Sequence, residues 1–418
     1  MYTALPMFQK VGAAAFNKGL DNTYRLLKVL DDPHQKFKTI HVAGTNGKGS
    51  VSSMLAAALQ SAGYKTGLYT SPHLKEFTER IRVDGVEIAE KDVVDFVNRM
   101  YSDLEEIKPS FFEMTVAMAF DYFVRQKVDV AVIEVGMGGR LDSTNVILPE
   151  LSVITNISFD HQQFLGNTIA EIAAEKAEII KDGTPALISE SHCESRPVFE
   201  QVAARKNAPI RFADDCYRVV FDEYSAMYNV YKGDELIWKD LECDLKGSYQ
   251  CKNIPVVVAA IEAISETFAV DEAAFRRGMR DVTAITGLKG RWQVLSDAPL
   301  TICDTGHNEA GIAMIVDALK RTRRDRIIFI LGMVADKDVE KVLRLLPEEA
   351  VYIFCQPSIQ RALPAEELKR IAKETRGIEA VVVKNVNEAR QYAESLAGPS
   401  DVIFIGGSTF VVADIEGI

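Results

Sequence analysis

The sequence has six cysteines (Cys193, Cys216, Cys243, Cys251, Cys303, Cys355) and no C-x-x-C pair among them. That argues against a zinc site, and scattered spacing in a chain of 418 residues argues against a disulfide framework. They read as reduced thiols, and the chain as cytoplasmic. No run of about 18 apolar residues occurs, so no membrane-spanning helix is expected. Met1 to Lys18 show no basic stretch followed by a long apolar one, so no secretory signal is expected. A positive balance is also missing: 48 Lys and Arg face 60 Asp and Glu, a net charge of −12. Nucleic-acid binding normally leaves a basic footprint and is not expected here, although local Lys and Arg residues can still hold a small anion. There is no internal repeat or low-complexity tract. What remains is an ordinary globular composition, 47% hydrophobic and 26% charged, in a length suited to two or three domains.

Along the first two-thirds, short apolar runs alternate with helical patterns. Strands are expected at 38–43, 65–70, 128–135, 151–157 and 184–189, and helices at 50–62, 90–107, 112–126, 168–181 and 248–268. Such alternation predicts a mostly parallel sheet with helices on both faces. The stretch 79–88 reads as a hairpin turning at Asp84-Gly85. The alternation restarts after a polar, Gly-containing stretch at 283–290. Strands are expected at 299–303, 326–331, 350–355, 379–383 and 401–405, with helices at 308–321, 337–346, 364–375 and 386–396. The expectation is an α/β protein. Residues 1–287 form a P-loop domain whose mostly parallel sheet is flanked by helices, with a small β-rich part around 208–240. Residues 288–418 form a smaller Rossmann-like α/β domain. One nucleotide loop shared by two such domains suggests a cleft between them.

The chemistry is concentrated at Gly44-Thr45-Asn46-Gly47-Lys48-Gly49-Ser50, between an apolar β-type run and a helix start. Glycines let backbone N–H groups close on an anion, and the helix N-terminus adds partial positive charge. Lys48 supplies a point charge for the outer phosphates, and the Ser50 hydroxyl suits Mg²⁺. The spacing departs from G-x-x-x-x-G-K-[ST], because Val42 stands at the first Gly and Gly49 separates Lys48 from Ser50. Glu134 closes the apolar run VDVAVIEV (128–135). That is the carboxyl end of a strand, where open parallel sheets gather ligands. Beyond it lies Gly-Met-Gly-Gly-Arg-Leu-Asp-Ser-Thr-Asn (136–145), in which Arg140 and Asp142 read as either a loop ion pair or a substrate contact. Asp160-His161 follow the strand at 151–157. Lys176 lies on the 168–181 helix, where an exposed ion-pairing lysine is the plain reading.

These strings together resemble the folylpolyglutamate and dihydrofolate synthases of the Mur ligase superfamily. G-T-N-G-K-G-S, T-S-P-H-L (70–74), G-G-R-L-D-S-T-N, E-K-A-E-I-I, G-S-Y-Q-C-K-N (247–253), G-R (290–291), D-T-G-H-N (304–308), the D-K-D of 336–338 and G-S (407–408) carry the resemblance from about residue 15 to about 410. It implies an ATP-dependent ligase that adds L-glutamate to dihydropteroate, to the γ-carboxylate of folates, or to both, through an acyl phosphate. ATP would lie on Thr45, Asn46, Gly47, Lys48, Gly49, Ser50, Asn253, Arg291 and Asp304. Two Mg²⁺ ions would be held by Ser50, Ser71, Glu134, His161 and Lys176, the last as a carbamate. Folate would lie on Lys18, Gly19, Ser110, Phe111, Phe112, Glu113, Leu141, Asp142 and Ser143. The catalytic set would be Lys48, Glu134, His161, Lys176, Arg291 and His307. Arg291 and Asp304 stand on the second domain, so domain closure would complete the site. Lys289, Thr305 and Glu309 depart from the family's P-G-R and D-G-A-H-N-P. The expected partners are small molecules, without nucleic acid or membrane, and the expected state is a monomer. Two rivals are a cell-wall Mur-type amino-acid ligase, against which T-S-P-H-L and L-D-S-T-N argue, and a regulator that hydrolyses ATP without ligation.

Overall fold

In the computed structural model, residues 19–222, 225–322 and 324–418 are described; Lys18, one expected folate contact, lies outside them. The chain folds as two compact units. One reaches to Asp244 and takes in Gln250–Leu288, and the other comprises Leu245–Tyr249 and Lys289–Ile418. No contiguous division of the sequence expresses that grouping.

Among the described residues of the first unit, eight strands make one sheet: β1 (Lys38–Ala43), β2 (Thr66–Tyr69), β3 (Ile81–Val83), β4 (Val86–Glu87), β5 (Val130–Glu134), β6 (Leu151–Ile154), β7 (Ala186–Ile188) and β8 (Ile210–Phe212). Their order is β4-β3-β2-β5-β1-β6-β7-β8. From β2 to β8 every pairing is parallel, and β3–β4 is an antiparallel hairpin at the edge. The parallel strands are apolar because helices cover both faces; β5, Val-Ala-Val-Ile-Glu, is buried throughout. The hairpin turns at Asp84 and Gly85, both at positive φ. A Cβ on Gly85 would lie 1.9 Å from the Ile285 carbonyl oxygen, so this turn requires glycine.

The β-rich stretch at 208–240 divides. β8 joins the main sheet beside β7, while β9 (Tyr217–Asp222), β10 (Met227–Lys232) and β11 (Glu235–Leu241) form a separate antiparallel meander. Trp238 on β11 lies against Phe275, ring centroids 4.4 Å apart. The helix expected over 90–107 breaks at Met100 into Glu90–Arg99 and Tyr101–Ile107. The one expected over 168–181 ends at Ala177, because Ile179 and Ile180 turn into the core ahead of β7. Helices Asp21–Val29 and Arg196–Arg205 are additions to the expected set.

Among the described residues of the second unit, β12 (Gln293–Asp297), β13 (Leu300–Asp304), β14 (Ile327–Leu331), β15 (Ala350–Phe354), β16 (Ala380–Val382) and β17 (Val402–Gly406) are ordered β12-β13-β17-β14-β15-β16. All are parallel except β12, an edge strand outside the expected set; it mixes exposed and half-buried positions and carries no apolar run. No helix among the described residues is long and apolar enough to cross a membrane.

The helix that starts at Lys48 and ends at Ser61 is buried from Gly49 to Leu59. Its buried residues are mostly small or apolar because it is covered by the sheet on one side and by helix Glu272–Arg280 on the other. Gly278 makes that second contact close. A Cβ there would lie 2.8 Å from the Ala57 carbonyl group and from Ala58 Cα. Backbone atoms cannot swing aside, so the overpacking cost of about 1–3 kcal/mol outweighs the helix-propensity gain of at most about 1 kcal/mol. Gly278→Ala therefore lowers the denaturant midpoint, and a raised midpoint in equilibrium unfolding would refute the packing account.

Candidate active site

The parallel order places four strand ends side by side, β2, β5, β1 and β6, and each delivers polar groups to one edge of the sheet. From β1 the chain enters the glycine loop, with Gly44 at φ 148 and Gly47 at φ 87. Both glycines are needed for approach. A Cβ on Gly44 would lie 1.9 Å from Thr155 Oγ1, and one on Gly47 would lie 2.5 Å from Asn253 Oδ1. Asn253 is thus brought against the loop, and its amide donates to Gln250 Oε1 at 2.7 Å. Lys48 folds back over the loop and donates to the carbonyls of Gly44 (3.0 Å) and Thr45 (3.1 Å). Ser50 is buried in the first turn of the helix.

The segment after β6 braces this loop. Thr45 N donates to Asn156 O at 2.6 Å, Thr155 Oγ1 to Asn46 O at 2.6 Å, and Asn46 Nδ2 to Ser158 Oγ at 3.1 Å. Sequence reasoning passed over Thr155, Asn156 and Ser158. Their signal is a polar Thr155-Asn156 pair directly after an apolar strand, with Ser158 two residues beyond Asn156.

Glu134 closes β5, in register with Val42 on β1. It is buried, and its Oε2 accepts from the Ser71 backbone N–H at 3.0 Å. Two of the expected metal ligands therefore touch. His161 takes a left-handed backbone (φ 50), its N–H donates to Asp160 Oδ1 at 2.8 Å, and its Nε2 lies 3.9 Å from the same oxygen.

Lys176 departs from the surface ion pair that its neighbours suggest. It is buried on helix Ile169–Ala177. Burial, and next the nearby Lys48 charge, push its amine down to about 7, against the pull of Asp160, Asp142 and Glu175. The 136–140 loop packs on this helix. A Cβ at Gly139 would lie 2.6 Å from Glu175 O, and Arg140 Nε and Nη2 donate to Glu175 Oε1 at 3.0 and 2.9 Å. The Arg140 guanidinium is thus committed to an exposed ion pair.

Among the described residues no three His, Cys, Asp or Glu side chains cluster as a cage. The buried Glu134 carboxylate, beside the Ser71 backbone, nonetheless offers oxygen to a hard cation that keeps water and takes phosphate oxygens. Lys176 fits only as a carbamate, since an ammonium has no lone pair to give.

The two expected folate segments meet at Gly136. A Cβ there would lie 2.5 Å from Phe112 Cζ and 3.1 Å from Asp142 Oδ2, and Tyr69 lies with its ring centroid 6.2 Å from that of Phe112. Phe111 faces Phe77 edge-on within the core. Ser110 and Glu113 form the capping box of helix Phe111–Gln126: Ser110 N donates to Glu113 Oε2 at 2.6 Å and Glu113 N to Ser110 Oγ at 3.3 Å. Such a cap contributes about 1 kcal/mol, so helix initiation explains their identity. Asp142 is buried and accepts from Met137 N (2.9 Å), Thr144 N (3.0 Å) and Thr144 Oγ1 (2.5 Å). Its carboxylate clasps the loop; burial raises its pKa and the clasping bonds oppose that. Ser143 is buried beside it, Leu141 is half-buried, and Gly19 stands at φ 150 beside Asp21.

In the second unit, Asp304 ends β13 level with Gly406 on β17. Its Oδ2 accepts from Tyr249 Oη and Trp292 N, each at 2.7 Å, and its Oδ1 from Gly306 N at 2.8 Å. Tyr249, absent from the expected set, is thus how Leu245–Tyr249 attaches to this unit. Arg291 donates to Thr305 Oγ1 and to Gly290 O, and His307 Nδ1 lies 3.0 Å from Thr305 O. The Thr305 that replaces a family glycine therefore makes a contact of its own. Asn308 caps helix Glu309–Arg321 by accepting from Gly311 N.

Known proteins match this arrangement. The Mur ligase middle domain matches residues 42–261, and the Mur ligase glutamate ligase domain matches 290–409. The chain is 33% identical over 412 residues to the dihydrofolate synthase/folylpolyglutamate synthase of Bacillus subtilis, covering 95% of this chain and 94% of that protein. Its structure is similar to Escherichia coli FolC in complex with DHPP and ADP, with a TM-score of 0.86, 28% identity, and 96% and 93% of the two chains covered. It is also similar to a bifunctional folylpolyglutamate synthase/dihydrofolate synthase with Mn, AMPPNP and L-glutamate bound, with a TM-score of 0.84, 28% identity, and 95% and 93% covered. The chain belongs to the folylpolyglutamate synthase/dihydrofolate synthase family of Mur ligases, which are ATP-dependent acid–amino-acid ligases.

Proposed function

We propose that this ligase adds L-glutamate to dihydropteroate, to the γ-carboxylate of folates, or to both, as a cytoplasmic monomer. What carries the reading is the position of Gly136. It packs closely against Phe112 and Asp142 and stands two residues beyond Glu134, so the two segments expected on the folate side adjoin the strand ends around the phosphate loop. The relatives solved with DHPP and ADP, and with Mn, AMPPNP and L-glutamate, support it.

The acceptor carboxylate attacks the γ-phosphorus of ATP, an acyl phosphate forms, and ADP leaves. The glutamate α-amine then attacks the acyl carbon, phosphate departs, and the amine loses a proton as the amide forms. The difficulty of the first step is that an anion approaches a polyanion. Lys48 and the N–H groups of residues 46–50 neutralise part of that charge as it shifts to the leaving ADP. Asn253 borders the nucleotide; the roles read for Arg291, Asp304 and His307 are phosphate, ribose and transferred-group contacts. Two Mg²⁺ ions held by Ser50, Ser71, Glu134, His161 and a carbamylated Lys176 would supply further positive charge to the phosphates. Phe111, Phe112, Leu141, Asp142 and Ser143, with Gly19, Ser110 and Glu113 around them, shape the folate side.

The depressed Lys176 amine supports the carbamate reading. A neutral amine attacks CO₂, forms N–CO₂⁻ and releases a proton, turning a buried cation into an oxygen donor.

Purified protein given ATP, Mg²⁺ and L-glutamate, with dihydropteroate or tetrahydrofolate offered in parallel, should release ADP only when both acceptor acid and glutamate are present, and mass spectrometry should find the added glutamate. ADP release without an amine acceptor would instead mark a hydrolysing regulator. Lys48→Ala should retain its circular dichroism spectrum and lose at least about 10²–10³ in kcat. Because the Lys176 amine loses its proton near pH 7, carbamylation should increase as pH rises from about 6 to about 8. With ¹³C-bicarbonate, the carbamate carbon signal should grow over that interval and be absent from Lys176→Met; a signal that persists in that variant contradicts the assignment.

A further inference from the structure

Near the middle of β1, between Ile133 on β5 and Ser152 on β6, stands a histidine, His41. It is fully buried in a strand whose neighbours are Ile40 and Val42. An aliphatic residue would fill this position without any polar group to satisfy. The imidazole instead makes one bond, from Nε2 to Thr144 Oγ1 at 2.9 Å, while its Nδ1 is buried with no hydrogen-bond partner. Leaving a buried acceptor unsatisfied is a cost that valine or isoleucine would not carry, so the single bond is what the ring is there to make.

The direction of that bond follows from counting protons. The Thr144 hydroxyl has one hydrogen, and it faces Asp142 Oδ1 at 2.5 Å. An ionised carboxylate can only accept, so Thr144 donates to Asp142 and accepts from His41 Nε2–H. The bare Nδ1 is then the orphan, as observed. Burial holds the ring neutral, with its pKa pushed down to about 3, so this arrangement does not reverse at physiological pH. On its other side Asp142 accepts from Met137 N, next to Gly136.

We propose that His41 is a positioning residue for the folate side of the reaction: from the strand that leads into the phosphate loop, it holds Thr144 and, through it, the Asp142 clasp that shapes the 136–144 loop. This rests on the function proposed above. Without the imidazole N–H the threonine hydroxyl is free to change rotamer, and the clasp loses the donor that fixes Oδ1.

The test compares KM for dihydropteroate, ATP and L-glutamate in His41→Leu, His41→Gln, Thr144→Val and the double variant His41→Leu/Thr144→Val. His41→Leu should raise the dihydropteroate KM about tenfold, the worth of about one hydrogen bond, and leave the ATP and glutamate KM values within about twofold. His41→Gln, whose amide nitrogen reaches the place of Nε2, should recover most of the loss. Thr144→Val, which also removes the hydroxyl that donates to Asp142, should raise that KM at least as much, and the double variant should be no worse than Thr144→Val, because His41 acts through Thr144. If His41→Leu does not fold, Thr144→Val carries the same test. Unaltered dihydropteroate KM, a parallel rise in all three KM values, or a glutamine variant no better than leucine would overturn the inference while wild-type turnover left the parent reading standing. Wild-type protein unable to use any pteridine acid would overturn both.

Discussion

One register constraint underlies the candidate site: β1 lies between β5 and β6, parallel to both. Parallel strands end on the same side, so the sheet collects at one edge what the sequence scatters over 120 residues and more. Val42 level with Glu134 sets the carboxylate next to the entry of the glycine loop. The next strand on either side brings Ser71 and the 155–161 segment. Slipping β1 by one residue would turn the loop out of this ring and move every side chain of the strand to the other face. The apolar filling of these strands therefore does more than stabilise the unit, since it fixes where the charges stand.

Concentrating charge in this way has an electrostatic cost. Burial of Lys176, and next the charge of the half-buried Lys48, depress the Lys176 amine. The pull of Asp160, Asp142 and Glu175 offsets only part of this. The glycines at 44, 47, 136 and 139 belong to this design. Each lets backbone or side chains come closer than a Cβ would permit, at the points where loop, helix and strand ends converge.

Parts of this were legible in the sequence, and the limits have physical causes. The phosphate loop was legible because its geometry is local: glycine spacing, a lysine and a serine, all within seven residues. The alternating α/β pattern was legible because strands buried on both faces have little choice of residue. β12 was not, since an edge strand half open to water carries no apolar signature. Nor was β8, whose membership of the main sheet depends on pairing with β7. Lys176 reads as a surface residue from its glutamate neighbours, and only the packing of the 136–140 loop onto its helix buries it. Ser110 and Glu113 matched a folate-contact pattern, yet their spacing is equally a helix start, and the structure uses it so. The His41–Thr144 bond spans 103 positions, and nothing in either neighbourhood announces it.

The chain has two tryptophans, and the fold assigns one to each unit. Trp238 lies against Phe275 beside the meander, remote in sequence from the glycine loop, while the backbone N–H of Trp292 is tied to the Asp304 carboxylate next to Arg291. The protein thus carries an intrinsic fluorophore in each half. Replacing Trp238 with phenylalanine would leave a single emitter, one residue from Arg291, whose intensity and wavelength follow events at the second unit with no dye attached.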